Sequence, residues 1–84
     1  MFEIVYAKSV LKDLKKINKH NLSKIKAGIE ELQNFPDLPN IKHLTNHSIA
    51  DYRLRIGNYR VLFDVDWSYK RINILKIGHR KDIY

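Results

Sequence analysis

The chain has 84 residues, with 16 Lys and Arg against 9 Asp and Glu, a formal net charge of +7 and no cysteine. That length predicts one domain, 1–84, around one modest core, and the missing cysteines exclude a disulfide framework and a thiolate metal site. No apolar run is long enough to span a bilayer and the N-terminus lacks the shape of a signal peptide, so a cytoplasmic protein with no membrane partner is expected. The histidines, His20, His43, His47 and His79, show no metal-ligand spacing with acidic neighbours, so no metal and no cofactor is expected. So large a positive excess on so small a domain is the electrostatic footprint of a nucleic-acid partner.

Phe2 to Tyr6 alternates and is rich in β-formers, and so predicts a strand. Val10, Leu11, Leu14 and Ile17 follow at helical spacing, with Lys8, Lys12, Lys15 and Lys16 on the other side. This predicts an amphipathic helix starting near Ala7 to Ser9. After a polar break at Asn18 to Asn21, with Asn21 as the expected N-cap, Leu22, Ile25, Ile29 and Leu32 mark a second helix. It must stop by Phe35, because Pro36 disfavours a helical conformation at the residue before it. Gly28 inside this helix costs roughly 1 kcal/mol relative to Ala, and close helix-to-helix approach is the expected compensation. Pro36 to Asn40 is a turn-rich connector, and Ile41 to Ala50, with His43 and His47, reads as a loop.

Tyr52-Arg53-Leu54-Arg55-Ile56-Gly57-Asn58-Tyr59-Arg60 alternates apolar and basic residues on both sides of Gly57-Asn58. That predicts a hairpin through a type II′ turn, continuing to about Asp66. Pairing across the turn sets Ile56 opposite Tyr59, Arg55 opposite Arg60, Leu54 opposite Val61 and Tyr52 opposite Phe63. Tyr52, Leu54, Ile56, Tyr59, Val61 and Phe63 then share one face, and Arg53, Arg55 and Arg60 share the other. Like charges directly opposite in a sheet are destabilising, so such a face implies a polyanion, with phosphate the obvious candidate. The arginines Arg53, Arg55, Arg60, Arg71 and Arg80 all lie after residue 50, whereas the earlier residues use only lysine. Trp67 to Lys70 makes the next turn, Arg71 to Gly78 the last strand, and His79 to Tyr84 a polar tail. The order β-α-α-β-β-β predicts an α+β fold. A two-helix hairpin packs on one face of a small, mainly antiparallel four-stranded sheet. Leu14, Ile25, Ile29, Leu54, Val61 and Phe63 should be buried, and the arginine face should stay open to solvent.

That element order, the hairpin Tyr52 to Phe63 and the ending Ile77-Gly78-His79-Arg80-Lys81-Asp82-Ile83-Tyr84 together resemble the RelE/ParE superfamily of small toxins of type II toxin–antitoxin systems. The ending is more similar to the RelE branch than to the gyrase-directed ParE branch. The resemblance covers essentially the whole chain. It implies an mRNA interferase, a ribosome-dependent endoribonuclease that needs no metal or cofactor and inhibits translation by cleaving mRNA in the A site. The 2′-hydroxyl of one nucleotide attacks the adjacent 3′-phosphate. The implied partners are the ribosome, mRNA and a cognate antitoxin protein.

Residue by residue, the resemblance implies that Arg53 and Arg55 bind RNA from the first hairpin strand, joined by Lys81 after the last strand. Arg60 and Arg80 are then the arginines that stabilise the phosphate in flight, and Tyr84 is the nearby tyrosine. Relatives carry lysine where this chain has Arg53 and Arg55. Arginine stays protonated, so those two positions bind and stabilise, and His79 is the natural candidate for proton acceptor. Two other readings stay open. One is a ParE-like toxin that inhibits gyrase, and the other is a catalytically weak member acting through its antitoxin complex.

Overall fold

A computed structural model describes residues 1–83. In chain order they form β1 (Glu3–Tyr6), α1 (Lys8–Lys15), α2 (Lys19–Glu30), a 3₁₀ turn (Glu31–Asn34), β2 (Ile41–His43), β3 (Tyr52–Ile56), β4 (Tyr59–Asp66), β5 (Arg71–His79) and α3 (Arg80–Ile83). The strands make one sheet in the order β1-β5-β4-β3-β2. β1 runs parallel to β5, and the other neighbours are antiparallel. The expected α+β arrangement is present, but the sheet has five strands where four were expected. The extra one lies in the segment read as a loop. Ile41, Lys42 and His43 pair with Leu54, Arg53 and Tyr52. Three residues at a sheet edge are too few to display a period of two, which is why the sequence pattern conceals them.

The hairpin has the expected register, with Ile56 opposite Tyr59, Arg55 opposite Arg60, Leu54 opposite Val61 and Tyr52 opposite Phe63. Gly57 has φ +57°, while Asn58 is not among the residues of positive φ. A positive φ at the first central position alone is the type II′ pattern, and its twist suits the flanking strands. The helices cover the Leu54/Val61/Phe63 side, where Val10, Ile25, Ile29 and Leu32 bury themselves against Leu54, Val61, Phe63, Ile72, Ile74 and Ile77. Phe35 closes one end of this core. Its ring sits edge-on to Phe2 and Tyr52, with centroids 5.7 and 5.2 Å away. Leu14, expected in the core, is only half-buried, because α1 lies along the margin of the sheet over β5.

Two local expectations are corrected. The second helix is capped by Asn18 rather than Asn21: the Asn18 carboxamide oxygen accepts the Asn21 N–H at 2.9 Å. The break between the helices is therefore shorter than the polar run suggested. Gly28 does permit a close approach, but to a strand. A Cβ there would stand 2.6 Å from Ile56 Cδ1 and 2.9 Å from Ile56 Cγ1 on β3.

β5 carries a bulge. Leu62 is opposite Lys76, yet Phe63 is opposite Ile74, so one residue of β5 is skipped. The buried residues Ile72, Ile74 and Ile77 are accordingly spaced by two and then by three. β1 pairs with β5 only as far as Ile74. Beyond that point α1 completes the hydrogen bonding of the free edge. Asp13 Oδ2 accepts the Ile77 N–H at 3.0 Å, and the Ser9 hydroxyl donates to the Leu75 carbonyl at 3.4 Å.

Candidate nucleic-acid interface

The sheet face opposite the helices is built in cross-strand rows. One row holds Arg55, Arg60 and Gly78, and the next holds Lys42, Arg53, Leu62 and Lys76. The pleat brings these side chains to one side because directly paired residues in an antiparallel ladder point the same way. Arg55 is exposed, whereas Arg53 and Arg60 are half-buried, so the face is less open than the alternation alone implied. Arg53 is paired with Leu62 and Arg60 precedes it by two residues on β4, and Leu62 is 0% exposed although it sits outside the helix-side core. Long basic side chains commonly cover apolar surface in this way while keeping the charged head near water.

Arg60 is held by the turn. Its Nη1 donates to the carbonyls of Gly57 and Tyr59, both at 3.0 Å. The turn thus fixes the guanidinium of the residue paired with Arg55. Asp64, on the same strand face, accepts the Asp51 N–H at Oδ1. Arg71, by contrast, stands at the far end of the same face, opposite Asp66, and pairs with Glu3 at 3.0 Å.

The segment read as a polar tail is more ordered than expected. β5 runs on through His79, and Arg80–Ile83 forms one helical turn. The Arg80 N–H donates to the Asn58 carbonyl at 2.8 Å. Ile83 covers Gly78, its Cγ1 and Cδ1 lying 3.1 and 3.3 Å from where a Cβ would stand. Gly78 belongs to the row of Arg55 and Arg60, so α3 folds back at the edge of the arginine face. Arg80 and Lys81 are exposed there. Tyr84 lies outside the described residues.

His79 is placed differently. It is paired with Tyr59, on the side of the sheet that faces the helices, and its ring meets the Tyr59 ring edge-on at 5.6 Å. Two cavities of about 230 Å³ each flank this pair, one toward Lys24 and Ile56, the other toward Lys16 and Ile83. The position is not that of a base standing among the arginines. His43 lies on β2 against Tyr52, and His47 Nδ1 accepts the Ile49 N–H at 3.1 Å, so both are held by local structure.

Sequence reasoning passed over Lys76. Regular alternation would have turned it toward the helices with Ile72 and Ile74, whereas the bulge swings it to the arginine face beside Leu62. The available signal was the change of spacing from Ile74 to Ile77. With Lys76, and with Lys42 paired to Arg53 on β2, this part of the face carries five cationic side chains on four adjacent strands, an arrangement suited to gripping a phosphodiester chain and to stabilising negative charge that builds on it.

The fold is that of the RelE/ParE class of toxins. More narrowly, residues 4–84 match the family of the ParE toxin of type II toxin–antitoxin systems, and the chain belongs to it. Two relatives come from Methanocaldococcus jannaschii. Toxin RelE3 is 36% identical over 89 residues, covering 98% of this chain and 94% of the relative. Putative toxin RelE1 is 41% identical over 87 residues, covering 99% and 94%. Among solved structures, the toxin of the RelB–RelE antitoxin–toxin complex from Methanococcus jannaschii superposes with a TM-score of 0.75 at 35% identity, over 95% of this chain and 94% of that one. RelBE2 from Mycobacterium tuberculosis superposes with a TM-score of 0.82 at 24% identity, over 94% and 98%, a likeness of fold. No helix among the described residues is long and apolar enough to cross a membrane.

Proposed function

We propose that this toxin is an endoribonuclease that cleaves mRNA in the ribosomal A site and is silenced by a cognate antitoxin. The observation that carries the reading is the gathering of Arg53, Arg55 and Arg60 on the uncovered sheet face, with Arg80 tied to the same hairpin turn through the Asn58 carbonyl. In the reaction a 2′-hydroxyl attacks the adjacent 3′-phosphate. The bond from phosphorus to O2′ forms and the bond to the 5′-oxygen breaks, leaving a cyclic phosphate and a 5′-hydroxyl. The 2′-hydroxyl gives up its proton and the departing 5′-oxygen gains one. Arg60 and Arg80 stabilise the charge that accumulates on the pentacoordinate phosphate. Fixed donors do this without reorganising as the charge develops. Arg53, Arg55 and Lys81 hold the flanking backbone, and Tyr84 stacks on a base or hydrogen-bonds near the 2′-hydroxyl. No cofactor is assigned. The antitoxin follows from kinship, since the RelE from Methanococcus jannaschii was solved together with RelB.

Primer extension on translated mRNA after induction in a bacterial host tests the reading. Discrete cuts within reading frames are expected, absent in Arg80→Ala and suppressed when the antitoxin is co-expressed. Growth arrest with intact mRNA and supercoiling-deficient DNA would replace it with gyrase inhibition.

A further inference from the structure

His79 has three features that a proton acceptor on the arginine face would not have. Its imidazole lies on the other side of the sheet, beside Tyr59. Its Nδ1 is already occupied, accepting the Lys81 N–H at 3.2 Å. A neutral imidazole that accepts at Nδ1 carries its proton on Nε2, so the remaining nitrogen is a donor. These features fit a different task. α3 is a single turn of four residues, and a turn that short has no stability of its own in water. It persists through tethers. The Asn58 carbonyl holds the Arg80 N–H, Ile83 packs on Gly78, and His79 Nδ1 takes the Lys81 N–H. Of these three, the last is made by a polar side chain, and it holds the turn that carries the exposed cations Arg80 and Lys81.

We infer that His79 is a positioning residue, whose imidazole caps the C-terminal turn and thereby aims Arg80 and Lys81 at the RNA, while the proton is taken by another group. The inference rests on the cleavage reading above for its functional half. Its structural half stands on the tether alone.

The test compares the full chain with His79→Ala and His79→Asn, in cleavage of ribosome-bound mRNA and in NMR-detected exchange of the Lys81 amide with water. Asparagine can accept from a backbone N–H two residues on but cannot carry a proton. His79→Ala is expected to slow cleavage by up to about 100-fold, the scale of a small misplacement of a catalytic group. It should also speed Lys81 exchange roughly 2- to 30-fold, the scale of a lost cap. His79→Asn is expected to restore both to within about 3-fold of wild type, the residual expected when one short acceptor replaces another. If His79→Asn cleaves as slowly as His79→Ala while its Lys81 amide keeps wild-type protection, the imidazole itself is required and the inference is overturned. Should the wild-type chain cleave no RNA, the cleavage reading fails separately. The exchange arm then decides alone, and unchanged Lys81 exchange in His79→Ala overturns the tether.

Discussion

Neighbouring residues on β3 and β4 meet opposite fates. Leu54, Val61 and Phe63 are no more than 1% exposed and belong to the core beneath the helices. Arg53, Arg55 and Arg60, each one step along the chain from a core residue, stand on the other side in a cluster that a fold built for stability alone would avoid. The pleat therefore divides labour. The helix side holds the molecule together by burying apolar area, and the arginine side accepts electrostatic strain that an anionic ligand would relieve. Leu62 complicates the division, being wholly buried on the functional side in the row between Arg53 and Lys76.

The sharpest way to break this comparison is to mutate one residue from each side. Arg60→Ala is expected to lower the cleavage rate on the order of 10²–10³, the usual loss for one fixed charge-stabilising donor, with little change in melting temperature. Phe63→Ala is expected to do the reverse. It should cost about 3–5 kcal/mol of stability, read by urea unfolding, while cleavage per folded molecule persists. If Arg60→Ala destabilises the chain as much as Phe63→Ala, the two faces are not separable.

Leu62→Ala tests the exception. It should cost about 2–5 kcal/mol, as for other buried leucines, and should also weaken RNA binding because the stems of Arg53 and Lys76 lose their support. A purely structural effect, with affinity of the folded fraction unchanged, would show that Leu62 belongs functionally to the core.

Arg55→Ala should have a smaller effect, confined to binding. Arg55 is the exposed member of the cluster. Its loss should lower the slope of log affinity against log salt by about 1, the signature of one phosphate contact, and change stability by less than about 0.5 kcal/mol. An unchanged slope would remove Arg55 from the RNA contact surface.

The hairpin and its register were legible because alternation on both sides of a two-residue turn leaves one pairing that buries every apolar residue; a slip of one would have buried the arginines. The helices were legible from their apolar period. What stayed hidden is set by tertiary context. β2 is too short to show a pattern and exists because β3 offers it an edge. The bulge that presents Lys76 replaces regular alternation with one skipped residue. His79 is the last residue of its strand, where one further step of pairing decides its face. From sequence, the side taken there could be assigned only through kinship.

Gly28 concerns the helix side alone and should have the smallest effect, but one whose sign can be switched. Two forces act when it becomes alanine. Helix propensity favours alanine by about 1 kcal/mol. Against this, the new Cβ would stand 2.6 Å from Ile56 Cδ1 and 2.9 Å from Cγ1, inside any tolerable contact. Overpacking of that kind typically costs about 1–3 kcal/mol, so a net loss of roughly 0–2 kcal/mol is expected in the wild-type background. Removing the obstacle should leave propensity unopposed. In an Ile56→Ala background, Gly28→Ala should therefore stabilise the chain by about 1 kcal/mol. The difference between the two backgrounds, read from urea midpoints in a double-mutant cycle, is the coupling between helix and strand. An identical effect in both backgrounds would mean that Gly28 is not kept small by Ile56, and that α2 approaches β3 closely for some other reason.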